Sequence, residues 1–246
     1  MPTAAAAERV GDPDRVRRTL HALVAGGSAD GSAVKRLCAG AVSVLPVDGA
    51  AISLLTGLDE LGSVVASDAA TARLGDIQFT IGEGPCWDAI RDGRPVLVGD
   101  LTGSTGGRWP MFTAAALAAD VRAVFAFPLQ IGAIRLGTLG LVRAEPGGLG
   151  RGPLADALVV ADIATLTLIN LPADGAAGAA DLPSEVCAMY RAEIHQATGM
   201  VMVQLEVSAQ EALVRLRAHA FACGQTADEV ARDIVARRQR LERDLP

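Results

Sequence analysis

The feature that most limits how this chain can fold is a break near residue 172. The stretch Pro172-Ala-Asp-Gly-Ala-Ala-Gly-Ala-Ala-Asp181 has the small, flexible composition of a linker. Before it, short strand patterns alternate with helical ones; after it, every pattern is helical. A chain of 246 residues, half of them apolar, exceeds one typical domain and can bury two cores. The reading is a partly helical N-terminal extension over 1–29, a strand-bearing domain over 30–171, a linker over 172–182 and a helical domain over 183–246.

Residues 13 to 46 carry two helical patterns separated by Gly26, Gly27 and Gly31. In the second, Val34, Leu37, Cys38, Ala41, Val42 and Leu45 recur at spacings of three and four. Strand patterns follow at Ala50 to Leu55, Gly62 to Ser67, Pro95 to Val98, Val121 to Ile131 and Leu136 to Arg143, the last two forming a hairpin around Gly132-Ala133-Ile134. Helices interrupt them at Pro85 to Asp92 and Pro110 to Ala119, each with Pro in its first turn. The class is α+β: an antiparallel sheet flanked by helices, followed by an all-α three-helix domain.

From Pro153 to Asn170 the pattern is helical and apolar on two stripes, Leu154, Leu158, Ala161, Thr165 and Leu168, and Val159, Ile163 and Leu166. Either one stripe meets the sheet and the other a second copy, or the helix is wholly buried within one chain. Beyond the linker, helices are expected over Pro183 to Leu205, Ser208 to Cys223 and Thr226 to Arg243. Ser208 with Glu211 and Thr226 with Glu229 read as capping boxes, and Gly224 as a helix stop.

Composition excludes several functions. Cys38, Cys86, Cys187 and Cys223 form no C-x-x-C pair, and His21, His195 and His219 share no ligand spacing, so neither a disulfide framework nor a metal is expected. Apolar stretches such as Val121 to Leu129 are interrupted before the roughly 18 residues a membrane span needs. The N-terminal Ala run lacks a basic flank and a long apolar core, so a cytoplasmic location is expected. There is no P-loop, no G-x-S-x-G elbow, no H-E-x-x-H and no kinase or cyclase signature, which argues against an enzyme. A net charge of −6 is the wrong sign for gripping nucleic acid through bulk electrostatics, and no DNA partner is expected.

The most specific pattern lies in the last helices: Arg191-x-x-Ile194-x-x-Ala197-Thr198-Gly199-Met200-x-Met202, then Val207-Ser208-x-x-Glu211-Ala212-x-x-x-Leu216-Arg217-x-x-Ala220, then Val230-Ala231-x-x-Ile234-Val235. Over residues 183 to 243 it resembles the ANTAR domain of transcription antitermination regulators. The resemblance implies binding to paired stem-loops in leader transcripts, which stops a terminator from forming. One departure is Thr198, where many members carry Lys, and it removes a cation from a phosphate contact. From the residues themselves, Ala197 and Gly199 allow close approach of another backbone, and Arg191, Gln196, Thr198, Arg215, Arg217 and His219 are suitable donors to structured RNA. Met202 completes the candidate face or belongs to the helical core. The cluster Arg237-Arg238-Gln239-Arg240 is either a phosphate grip, with Arg237 and Arg238 as its candidate contacts, or a set of cations favoured at a helix C-terminus.

The segment Ile81-Gly82-Glu83-Gly84-Pro85-Cys86-Trp87-Asp88-Ala89, with the strand and helix order around it, resembles a GAF domain over about residues 30 to 171. That implies a pocket between sheet and covering helices for a small molecule of unknown identity, with Glu83, Cys86, Trp87, Trp109, Phe125 and Phe127 as candidate ligand-binding residues. Cys86, in a first helical turn, is either a sensor thiol with a lowered pKa or a small buried hydrophobe. The expected function is a homodimeric, signal-responsive antitermination regulator that binds stem-loop RNA. The alternatives are a protein-interaction module without RNA binding, and a redox sensor or enzyme using Cys86.

Overall fold

A computed structural model describes residues 11–25, 32–55, 61–103, 107–170 and 192–242. The elements run α1 (Pro13–Ala25), α2 (Ser32–Val44), β1 (Gly49–Leu55), β2 (Leu61–Ala66), α3 (Ala69–Ile81), α4 (Pro85–Asp92), β3 (Val96–Val98), α5 (Pro110–Ala118), β4 (Ala123–Ile131), β5 (Ile134–Arg143), α6 (Arg151–Ile169), α7 (Ala192–Leu205), α8 (Ala209–Ala222) and α9 (Ala227–Val235). The expected linker and the part of the first C-terminal helix before 192, with Arg191, lie outside the described residues.

The five strands form one antiparallel sheet in the order β2-β1-β5-β4-β3. Strand parity decides what each face carries. On β4, Ala123, Phe125, Phe127 and Leu129 point into a core shared with α1, α2 and α6, while Val124 and Ala126 point toward α3, α4 and α5. On β5, Leu139 and Leu141 join the first core and Gly140 faces Cys86 of α4. The result is three layers, helices on both faces of a sheet. Val16 and Leu20 of α1 are fully buried in the first core, so residues ahead of 30 help to build it.

α6 is long and apolar enough to cross a membrane by length and composition, although charged and polar residues interrupt its apolar runs. Here it is a core helix: nine of its residues, from Asp156 to Leu168, are buried against the sheet and the first two helices. Leu158, Leu166 and Ile169 remain exposed. Neither sequence stripe is intact, because Leu158 leaves the first stripe and Leu166 the second, while Val159 and Ile163 turn inward.

The last three helices pack around Ile194, Ala197, Val201, Leu205, Leu213, Leu216, Val230 and Ile234. α9 ends at Val235, eight residues earlier than the periodicity predicts. Arg237 takes a left-handed conformation (φ 57°), and the amide of Arg238 turns back to the carbonyl of Asp233. That is a helix-terminating wrap made without glycine. The chain then folds back along α7, where the Gln204 amide donates to the carbonyl of Leu241.

Candidate functional site

A chain of local requirements builds the segment from 81 to 89. Asp68 caps α3 by accepting from the amide of Thr71 (2.8 Å). Gly82 ends that helix in a left-handed turn (φ 71°), which places Glu83 over the start of α5. There Glu83 Oε1 accepts from the amides of Met111 (2.7 Å) and Phe112 (3.0 Å), satisfying free donors of a helix whose own N-cap, Trp109, offers no side-chain bond. Gly84 (φ 135°) leaves room for the buried Gln78, whose Oε1 accepts from the amide of Cys86 (3.1 Å) and whose carbonyl accepts from Trp87 Nε1 (2.8 Å). Pro85 then opens α4.

This junction walls a cavity of about 480 Å³. Trp87, Trp109, Leu55 and Ile90 supply apolar surface, and Asp88, Arg91, Arg108 and Arg135 supply charge. Asp88 is buried and accepts from Trp109 Nε1 (2.9 Å), Arg108 Nε (2.7 Å) and the guanidinium of Arg91. Its negative charge is thus answered by two cations and an indole, as burial of a carboxylate requires. Among the described residues Arg135 has no ion-pair partner, so it is the cation at the rim best placed for an anionic group.

In the helical bundle a groove of about 760 Å³ runs between α7 and the segment after α9. Gln196, Gly199, Met200, Val203 and Gln204 form one wall, and Ile234, Arg237, Gln239 and Arg240 the other. A Cβ built on Gly199 would meet nothing within 4 Å, and Arg237 and Arg240 are exposed without ion-pair partners among the described residues.

A GAF domain model matches residues 32–152 and an ANTAR domain model matches residues 189–235. The chain belongs to the proteins that join a GAF domain to an ANTAR domain. A sensor histidine kinase domain from Sinorhizobium meliloti 1021 is 16% identical, covering 60% of this chain and 96% of its own, with a TM-score of 0.49. The GAF domain of a phosphoenolpyruvate-protein phosphotransferase from Coxiella burnetii is 15% identical, covering 62% and 89%, with a TM-score of 0.47. The reduced form of fRMsr from Staphylococcus aureus is 15% identical, covering 68% and 99%, with a TM-score of 0.49. No curated protein matches the chain.

Within the GAF domain, Glu83, Trp87 and Trp109 line the cavity as the sequence suggests, but Phe125 and Phe127 do not. They lie on the opposite face of the sheet, fully buried in the α1, α2 and α6 core, because odd positions of β4 point that way. Cys86 is buried beneath the cavity floor against Gly140, with Gln78 Nε2 donating to its sulfur (3.5 Å). Burial pushes its thiol pKa up, against the smaller lowering effect of hydrogen bonds from Thr138 and Gln78. Of the two readings the sequence leaves open for Cys86, the structure has the small buried side chain.

The expected RNA face of the ANTAR domain divides three ways. Gln196, Gly199 and Arg237 meet in the groove. Ala197 and Thr198 are buried in the bundle, where the Thr198 hydroxyl donates to the carbonyl of Ile194 (2.7 Å), and Met202 packs on that core. Thr198 is thus in place as an interior residue and not as a phosphate donor. On α8, Arg215 pairs with Glu211 (2.8 Å), His219 contacts Cys223 and Gln239, and Arg217 turns toward the GAF domain. Arg238 is held by Asp233. Sequence reasoning missed Gln204; it placed Gln239 and Arg240 in the basic cluster near the last helix end, but their convergence with α7 depends on the chain reversal after α9.

Proposed function

We propose that this protein is a signal-responsive regulator of transcription antitermination. In this reading the GAF cavity takes a small molecule and the ANTAR bundle binds stem-loop RNA through the groove between α7 and the segment after α9. The observation that carries it is the groove itself. Two exposed arginines, three glutamine side chains and an open glycine line it together with the apolar surface of Met200 and Val203. Structured RNA is recognised through phosphates, 2′-hydroxyls and splayed bases, and this mixture of cations, amide donors and apolar surface suits all three. The bundle region 183–246 holds eight Arg against nine Asp or Glu, so binding depends on local placement and shape.

The protein acts as a homodimer in the cytoplasm and carries no catalytic activity of its own. The GAF cavity, with two indoles and Arg135 at its rim, suits a planar ligand bearing an anionic group. The redox alternative is disfavoured by the burial of Cys86, which does not line the cavity.

The test is crosslinking and sequencing of RNA bound to the tagged protein in its native cells, with the double variant Arg237→Glu and Arg240→Glu as control. Recovery of leader transcripts with paired stem-loops, lost in the variant, supports the reading. No enrichment over the variant moves the assignment to a protein-interaction module.

A further inference from the structure

The two domains are tied together at α3. Arg217 of α8 donates through Nε to the carbonyl of Thr80 (3.2 Å), and its guanidinium lies 5.3 Å from the Phe79 ring centre and 5.8 Å from that of Trp87. Gly82 permits this approach, since a Cβ there would lie 2.2 Å from the guanidinium. Phe79 leaves the GAF core and buries its ring in the ANTAR core beside residues of all three helices. The Thr80 hydroxyl accepts from the amide of Ala227 (3.0 Å) in the first turn of α9, and Arg73 faces Glu229 (3.5 Å).

We propose that this docking is an autoinhibitory contact, closed by Arg217 on the GAF domain and opened when a ligand in the adjoining cavity moves Trp87. It rests on the reading of the ANTAR bundle as RNA-binding, with the α8 surface around Arg217 joining the groove in the RNA interface. An arginine engaged by a carbonyl and two aromatic rings is withdrawn from phosphate, and the α8 surface around it is turned toward a protein neighbour instead of RNA. Gly82, Glu83 and Trp87 wall the cavity, and Gly82 and Trp87 also border Arg217, so a ligand acts on the cradle without a relay. If RNA binds only the undocked bundle, its apparent affinity falls in proportion to the docked fraction, and a ligand relieves this by binding the undocked state more tightly.

The experiment uses the full chain, with Thr80→Val and Arg217→Met as separate variants. Hydrogen exchange is followed at the Ala227 amide, and retention of a randomised stem-loop RNA pool is measured on immobilised protein. Arg217→Met leaves the Thr80 acceptor in place, so faster exchange at Ala227 reports undocking; the expected acceleration is about tenfold. Thr80→Val removes the acceptor of the Ala227 amide, weakening the docking while the Arg217 side chain is kept for RNA, and is expected to retain at least about fivefold more of the pool than the unaltered chain. Unchanged exchange in Arg217→Met, or equal retention by Thr80→Val and the unaltered chain, overturns the proposal while the RNA reading stands. No retention by any form overturns the RNA reading, and the inhibitory role with it.

Discussion

At position 199 a methyl group would meet open space, yet the chain places glycine inside α7. Glycine within a helix costs about 0.5–1 kcal/mol relative to alanine, and nothing in the bundle requires it. Gly199→Ala is therefore expected to raise the stability of the ANTAR domain by about that amount in chemical denaturation. It should also weaken RNA retention, because the glycine opens the groove floor to a close backbone. A variant that is stabilised and binds RNA as before would remove Gly199 from the site. The residue scale also shows where reading by type fails. A helix start leaves Cys86 open to two readings, a lowered pKa if exposed or a buried thiol, and only the inward direction of its side chain decides for the second, with desolvation outweighing its hydrogen bonds. Phe125 and Phe127 are aromatic and near the motif in space, but parity sends them to the other face of the sheet.

Among elements, the two S/T-x-x-E patterns illustrate how far local sequence goes. Both Ser208 and Thr226 accept from the amide three residues on, yet only Thr226 with Glu229 closes a full box. Glu211 turns away to pair with Arg215. Thr226→Ala is expected to cost about 1 kcal/mol. Glu229 has a pKa held below the usual carboxylate range, chiefly by the hydrogen bond from the Thr226 amide, with Arg73 adding to it. A depressed folded-state pKa contributes stability that is present above the unfolded value and lost as pH falls through the folded one. Stability followed by denaturant titration should thus decline on acidification below about pH 4.3, and Glu229→Gln should remove that part of the decline. A decline unaltered in Glu229→Gln would assign it to other carboxylates. Most helices and all five strands were legible from periodicity and from Pro, Gly and Asp punctuation. α3 was not, and the reason is physical: its buried residues, Thr71, Leu74, Gln78, Phe79 and Thr80, serve several neighbouring elements and form no single apolar stripe. Since α3 carries the docking surface, the tie between domains was invisible as well.

For the whole molecule, the open question of one copy or two turns on α6. Intramolecular burial consumes most of the helix and leaves Leu158, Leu166 and Ile169 exposed on it, with Asp162 between the leucines. Leu158 and Leu166, eight positions apart, stand on one side of the helix, where a second α6 can pack against them. Such a pairing places two ANTAR bundles on one assembly, so a stem-loop pair gains from simultaneous contact that neither bundle provides alone. Sedimentation velocity should therefore give twice the 25.2 kDa chain mass for the unaltered protein. The double variant Leu158→Lys and Leu166→Lys should sediment at the single-chain mass with an unchanged far-ultraviolet dichroism spectrum, because both positions are already exposed to water. Its affinity for a paired stem-loop RNA should then fall toward that for a single stem-loop. A double variant that still sediments as a dimer would move the interface away from α6, and equal affinities for paired and single stem-loops in the unaltered protein would detach RNA recognition from dimer geometry.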